Sequence, residues 1–152
     1  MPLIKRENFY LNFAFRIEEA GFAVSYFKTV SKIKIGNEII RYQEGGSLLD
    51  YLTLGRAKID DITLTRGVNV NRDLLTWMDG ATNSLADVGG GDEQKRTLDL
   101  VQQDRAKGDI ARFRLHECLP GEYSLGDWDN SGNDVLMEEM VIAVTAISEI
   151  PL

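Results

Sequence analysis

From Phe9 to Ile17 the chain alternates without interruption, with Phe9, Leu11, Phe13, Phe15 and Ile17 on one side and Tyr10, Asn12, Ala14 and Arg16 on the other. A sustained period of two fits a strand with one buried face, which must find a second apolar layer to cover it. After Gly21 the pattern resumes with Phe22, Val24, Tyr26 and Val30, broken by Lys28, so a second strand is predicted to pair back on the first as a hairpin. Ser31 to Tyr42 reads as one or two further strands. Ile33 and Ile35 lie on one side, and Ile40 and Tyr42 follow a Gly36-Asn37 break that predicts a turn or bulge.

The β-rich stretch Glu38 to Gly46 runs into a Gly-Gly break, and Gly45 to Lys58 has little periodicity. That segment is expected to be a long loop, functional or ordered against a partner. Ile59 to Thr65 returns to alternation, burying Ile62 and Leu64 and exposing Asp61, Thr63 and Thr65. One short helix is predicted over Arg72 to Asp79, capped by Asn71 and ended by Gly80, with Leu74, Leu75, Trp77 and Met78 as its apolar face. Ala81 to Glu93, with Gly89-Gly90-Gly91, reads as a mobile loop.

Lys95 to Gln103 and Ile110 to Leu119 are predicted to form a hairpin around Asp104 to Asp109. Its second arm points Phe113 and Leu115 inward and sets Arg112, Arg114 and His116 on the opposite face. Leu119-Pro120-Gly121 is expected to end that strand, and a polar loop then runs to Asp134. Val135 to Ile147 reads as a final strand that is apolar on both sides, covered inside a barrel corner or by another subunit. The sum is a mainly β fold, a small antiparallel β-barrel or sandwich with one short flanking α-helix, in a single domain spanning 1–152.

The composition suits such a domain, at 43% hydrophobic and 27% charged residues. A net charge of −7, with no run of Lys or Arg, argues against direct nucleic-acid binding. The opening MPLIKRENF lacks the apolar segment of a signal peptide, and no apolar run is long enough to span a bilayer. The expectation is a protein made in the cytoplasm, without a classical export signal, and not inserted in a membrane. With Cys118 the one cysteine, an internal disulfide is excluded.

Asp127 to Glu138, DWDNSGNDVLME, places Asp127, Asp129, Ser131, Gly132 and Glu138 at positions 1, 3, 5, 6 and 12 of a calcium loop. Against this stand Asp134 at a position that is apolar in such loops, the absence of a good incoming helix, and a following strand. The other reading is an acidic surface loop. His116 and Cys118, two apart, would share one face of a strand, but no second Cys or His completes a zinc site and no orienting group completes a thiol nucleophile. Gly89-Gly90-Gly91 lacks both a P-loop lysine and a dinucleotide fingerprint. The row Arg112, Arg114, His116 is an anion site, a solvated strand face, or a subunit contact to Asp60, Asp61 or Asp127 of a neighbour. No catalytic constellation and no cofactor site is recognised.

In order and spacing the chain resembles the tail tube proteins of contractile phages and phage-tail-like contractile injection systems. Val30-Ser31-Lys32-Ile33 stands where that family has a Val-Ser-Gly-Leu turn, and Glu38-Ile39-Ile40-Arg41-Tyr42-Gln43-Glu44-Gly45-Gly46 matches its extended segment. Gly55 and Ile62-Thr63-Leu64-Thr65-Arg66-Gly67 match the strand after the long loop. Leu74 to Trp77 matches the short helix, Phe113 to Pro120 the late strand, and Glu138-Glu139-Met140 the start of the last strand. The resemblance implies a non-enzymatic structural subunit whose hairpins join those of neighbours in a hexameric ring. Rings of this kind stack into a hollow inner tube, with other tube, spike, baseplate and sheath proteins as partners, in a phage virion or released particle. The final strand and the Gly45 to Lys58 segment are the candidates for contacts between subunits and between rings. Lys32 in place of glycine, and the missing proline before Gly55, fit a baseplate-proximal tube initiator as well as the main tube.

Overall fold

In the computed structural model of the protein, residues 10, 14–19, 22–84, 94–104, 106 and 108–152 are described. The Phe9, Leu11 and Phe13 positions, Gly21, and Gly89-Gly90-Gly91 lie outside them. The described residues form strands β1 (Phe15–Glu19), β2 (Phe22–Ser25), β3 (Thr29–Val30), β4 (Ile35–Tyr42), β5 (Tyr51–Ile59) and β6 (Ile62–Gly67). Helix α1 (Asp73–Ser84) follows, then β7 (Arg96–Gln103), β8 (Asp109–Leu125), β9 (Met137–Ala143) and β10 (Ala146–Ile150).

All pairings are antiparallel, and two sheets share one long strand. The first half of β8 lies between β7 and β10, and β7 continues through β1 to β2. From Leu119 onward β8 pairs instead with β9, which continues through β6 to β3. The result is open and sandwich-like rather than a closed barrel. Ile17, Leu98 and Leu115 from one sheet and Ile62, Leu64, Met140 and Ile142 from the other meet Leu74 and Trp77 of α1 in one core.

The β7–β8 hairpin, the β1–β2 pairing, and burial of Ile62 and Leu64 follow from the alternation. Leu115 is fully buried as expected, whereas Phe113 is only half-buried. Five expectations are corrected. Pro120 does not end β8: it pairs with Ile142 at a bulge completed by Gly121, the one kind of interior strand position that tolerates a missing N–H. The Gly45 to Lys58 segment is a loop only to Asp50, because Tyr51–Ile59 forms β5 on β4.

The expected strand from Phe22 to Val30 is two strands, with β3 crossing to pair with β6. Tyr26 is exposed there and Phe27 is the core residue, its ring under the Arg66 guanidinium. Val135 to Ile147 is likewise two strands, broken at Val144-Thr145 so that β9 and β10 contact different halves of β8. Only one face of β9 is fully buried, through Glu138, Met140 and Ile142.

The fifth correction concerns the helix end. Asn71 Oδ1 accepts the Asp73 N–H at 3.2 Å, so the predicted cap holds. Gly80, however, lies inside the helix, where a Cβ would stand 2.9 Å from Gln94 Oε1. Trp77 anchors α1 by donating its indole N–H to the Gln94 carbonyl at 2.7 Å, with Arg96 stacked over its ring.

Candidate assembly surface

Among the described strands, β4 and β5 pair only with each other, as a two-stranded ribbon. Directly opposed residues share a face in an antiparallel pair, so the register assigns the two sides. One side carries Ile35 and Ile59, Asn37 and Ala57, Ile39 and Leu54, and Arg41 and Leu52. The other carries Ile40 opposite Thr53 and a stacked pair, Tyr42 and Tyr51, with ring centroids 5.4 Å apart. Ile35, Ile39, Ile40, Tyr42, Tyr51, Leu52 and Leu54 are all exposed. Such a ribbon is marginal in water by itself, and with apolar side chains on both faces it presents adhesive surface to other chains. Gly55 permits the pairing at its bulge, since a Cβ there would meet Glu38 Cβ at 3.1 Å.

The tip of the ribbon is held by local bonds. Ser47 N–H donates to the Glu44 carbonyl at 3.0 Å, and the Leu49 N–H donates to Ser47 Oγ at 3.2 Å. Leu48 and Leu49 project into solvent at 98% and 79% exposure.

The expected arginine row has its partners within the chain. Arg16 grips Asp109 with two bonds of 2.6 and 2.9 Å and Glu18 with one of 2.7 Å. Arg112 bridges Glu18 and Asp99 at 2.9 and 2.7 Å, and Arg114 adds two bonds to Asp99 at 2.9 and 3.2 Å. This network crosses β1, β7 and β8 on the outer face of the sheet and covers fully buried Val101, which stands in register with Arg16 and Arg112. Hydrogen bonding to Arg16 holds Glu18 below the usual carboxylate range despite partial burial. Burial pushes Asp99 up, but its bonds to Arg114 and Arg112 outweigh this and leave it low.

The remaining candidates fall apart spatially. Glu117 adopts a left-handed φ of 48°, and the register between β7 and β8 slips beside it. The slip turns Cys118 into the core with Leu115 and separates it from His116, which bonds to Ser148 at 2.7 Å. Burial pushes the Cys118 thiol up to about 12, the opposite of an activated nucleophile. Glu138, the last position of the supposed calcium loop, is buried in β9, bonded to Arg66 and to the Tyr123 hydroxyl. Asp129 instead accepts from the N–H and hydroxyl of Ser131 at 2.9 and 2.7 Å, in a local turn. Asp127 lines the same surface hollow as Asp129 and Asp134, away from Glu138. Among the described residues no group of three or more His, Cys, Asp or Glu could hold a metal.

The sequence pattern gives no sign of Asp99, and it sets Glu138 in a calcium loop rather than beside Arg66, because buried charges carry no periodic signal. Asp99 becomes visible once register is known, since it pairs directly with Arg114.

No curated protein matches the sequence. The fold, however, is similar to that of chains in several solved assemblies at low identity. The cap that terminates the tube of the anti-feeding prophage matches with a TM-score of 0.83 and 13% identity, over 99% of this chain and 97% of that one. The extended sheath-tube complex of PVC, an extracellular contractile injection system, matches with a TM-score of 0.82 and 16% identity, over 96% and 94%. The anti-feeding prophage baseplate matches with a TM-score of 0.75 and 14% identity, over 95% and 97%. The profile of the T4-like virus tail tube protein gp19 matches residues 11–148. With nearly the whole length matched, the chain belongs to the T4-like virus tail tube protein family.

Proposed function

We propose that this chain is a non-enzymatic structural subunit of the inner tube of a contractile phage tail or phage-tail-like injection system. In this reading it forms hexameric rings that stack into a hollow tube. The observation that carries the reading is the β4–β5 ribbon, a pair of strands with exposed apolar side chains on both faces and no strand partner but each other among the described residues. Adding it to the ribbons of neighbours would satisfy its outer backbone edges and cover its side chains at once. A head-to-tail contact of this kind closes into a ring, and repetition along the axis gives a tube.

Residues 1–152 act as one domain in this assembly, whose partners are further copies, other tube subunits, and spike, baseplate and sheath proteins. The finished particle is a virion or a released injection system. Cys118 is buried in the core, and Arg112 and Arg114 are bonded to Asp99.

Negative-stain electron microscopy of the purified protein, with its mass in solution from light scattering, tests the proposal. Six-fold rings or stacked tubes are expected. Discrete rings that never stack would select the tube initiator that seats on the spike. A monomer at every concentration, with or without other tube components, would overturn the self-assembling reading.

A further inference from the structure

Among the described residues, helix α1 is the one element that belongs to neither sheet. Leu74 and Trp77 seat it on the core, and the indole N–H bond to the Gln94 carbonyl fixes it there. Beneath it lies a cavity of about 20 Å³, room for about one water molecule, lined by Phe27, Leu64, Leu74, Trp77 and Leu98. A carboxyl group interrupts this apolar wall. Glu19, the last residue of β1, has its Oε2 buried and without a hydrogen bond among the described residues. Arg96 of β7 stands 3.7 Å from that oxygen, too far to donate to it. The other groups around Glu19 do not supply the missing bond. Arg66 of β6 lines the cavity but is bonded to Glu138, Asp73 of α1 lines it with a like charge, and burial keeps the Cys118 thiol of β8 neutral.

We infer that the charge on Glu19 controls how firmly α1 is docked: the helix is seated while Glu19 holds its proton, and loss of that proton to solvent releases α1 locally. An ionised carboxylate in an apolar wall lacks the hydration it has in water, and lifting the element that covers it restores that hydration. Lifting α1 breaks no strand pairing, whereas moving β1 or β7 would break the ladder that joins them. Burial holds the Glu19 carboxyl above its ordinary value, and Arg96 opposes this only in part. For a carboxyl raised in the docked state, the penalty on docking is present above that raised value and is relieved as pH falls through it. Acid therefore tightens the helix and neutral pH loosens it. The lifted helix bares Trp77 and the Arg96 guanidinium stacked on its ring, so the two states present different surfaces. The device belongs to the single chain and goes beyond the tube-subunit reading, on which it does not depend.

Hydrogen exchange read by mass spectrometry on the intact chain, corrected for the intrinsic rate at each pH, tests this, with light scattering confirming one assembly state throughout. Protection of the amides from Trp77 to Ser84 is expected to fall several-fold between about pH 5 and about pH 8 and to stay below that of β6. Glu19→Gln keeps the shape of the side chain and cannot ionise, so its α1 amides should hold the acid level of protection at both ends of the range. Any other titrating group acts on both proteins alike. Wild-type α1 protection that is constant with pH would overturn the inference, and this series decides even where the variant folds poorly. So would a Glu19→Gln protein that keeps the wild-type slope. Equal protection of α1 and β6 at every pH would also overturn it, because the helix would then have no motion of its own.

Discussion

Arg66 on β6 and Glu138 on β9 stand opposite one another in register and form a hydrogen-bonded ion pair in the core, their side chains only 5% and 1% exposed. The second carboxylate oxygen of Glu138 accepts the Tyr123 hydroxyl from β8, and Arg66 stacks over Phe27. The pair thus ties β6, β8 and β9 to the chain entering β3. Burial, reinforced by the carboxylate, pushes the Tyr123 phenol up to about 12.

Removing one partner takes the buried counter-charge away from the other. Glu138→Gln or Arg66→Met is expected to destabilise the monomer by about 3–5 kcal/mol, read from urea unfolding. Arg66→Met with Glu138→Leu should recover much of that loss. A single variant within about 0.5 kcal/mol of wild type would show that the pair does not hold the sheets together.

Asp99 lies beneath Arg112 and Arg114, and Asp99→Asn is expected to cost about 1.5–3 kcal/mol at neutral pH. Its folded pKa and that of Glu18 are depressed, so their stabilisation is present above the ordinary carboxylate range. It is lost as pH falls through the lower folded values. Melting temperature against pH should therefore fall on the acid side in wild type, and less steeply in Asp99→Asn. Parallel acid limbs would remove Asp99 from the explanation.

Glu19 is expected to behave in the reverse sense. Its Oε2 is buried without a hydrogen bond among the described residues, 3.7 Å from Arg96, beside a small cavity under α1 lined by Leu74, Trp77 and Leu98. The charged groups around it are Arg96 on β7, Arg66 on β6 and Asp73 on α1. Burial raises its pKa, and Arg96 only partly opposes this. A raised carboxyl destabilises the fold above its folded pKa, and the penalty is relieved as pH drops through that value. Glu19→Gln should melt higher than wild type at pH 7, and the gap should close on acidification. A gap that is constant with pH would sink this assignment.

Gly80 offers a test of the helix itself. An interior glycine weakens a helix, and the nearest described atoms to a new Cβ are at the movable end of the Gln94 side chain. Gly80→Ala is expected to stabilise by up to about 1 kcal/mol. A helix that instead ended at Gly80 in a left-handed conformation would lose about that much or more, so the sign of the change in denaturation midpoint decides between them.

Elements with one wet and one dry face were legible from residue order alone: β6 through Ile62 and Leu64, and the β7–β8 hairpin through Leu98 and Leu115. Strand β5 was not, because Leu52 and Leu54 face solvent on one side while Tyr51 faces it on the other, leaving no amphipathic contrast to detect. The course of β8 past Pro120 and the parity change at Glu117 depend on which neighbour pairs with each half of the strand, a long-range fact. The Arg66–Glu138 pair spans 72 positions in sequence and resembles surface charge until both strands are placed. The Gly-Gly break at the tip of the β4–β5 ribbon was legible, but the return strand after it was hidden.

Strand β8 runs for 17 residues as the middle of one sheet and then the edge of the other. Neither sheet can come apart while the other persists, because freeing β9 strips the second half of the strand that β7 and β10 hold by the first. Both layers are therefore expected to melt together, with coincident transitions whichever sheet is probed. Amide hydrogens from Asp109 to Leu125 that bond within the ladders should exchange only when the entire domain opens, which makes this strand the common clock of the fold.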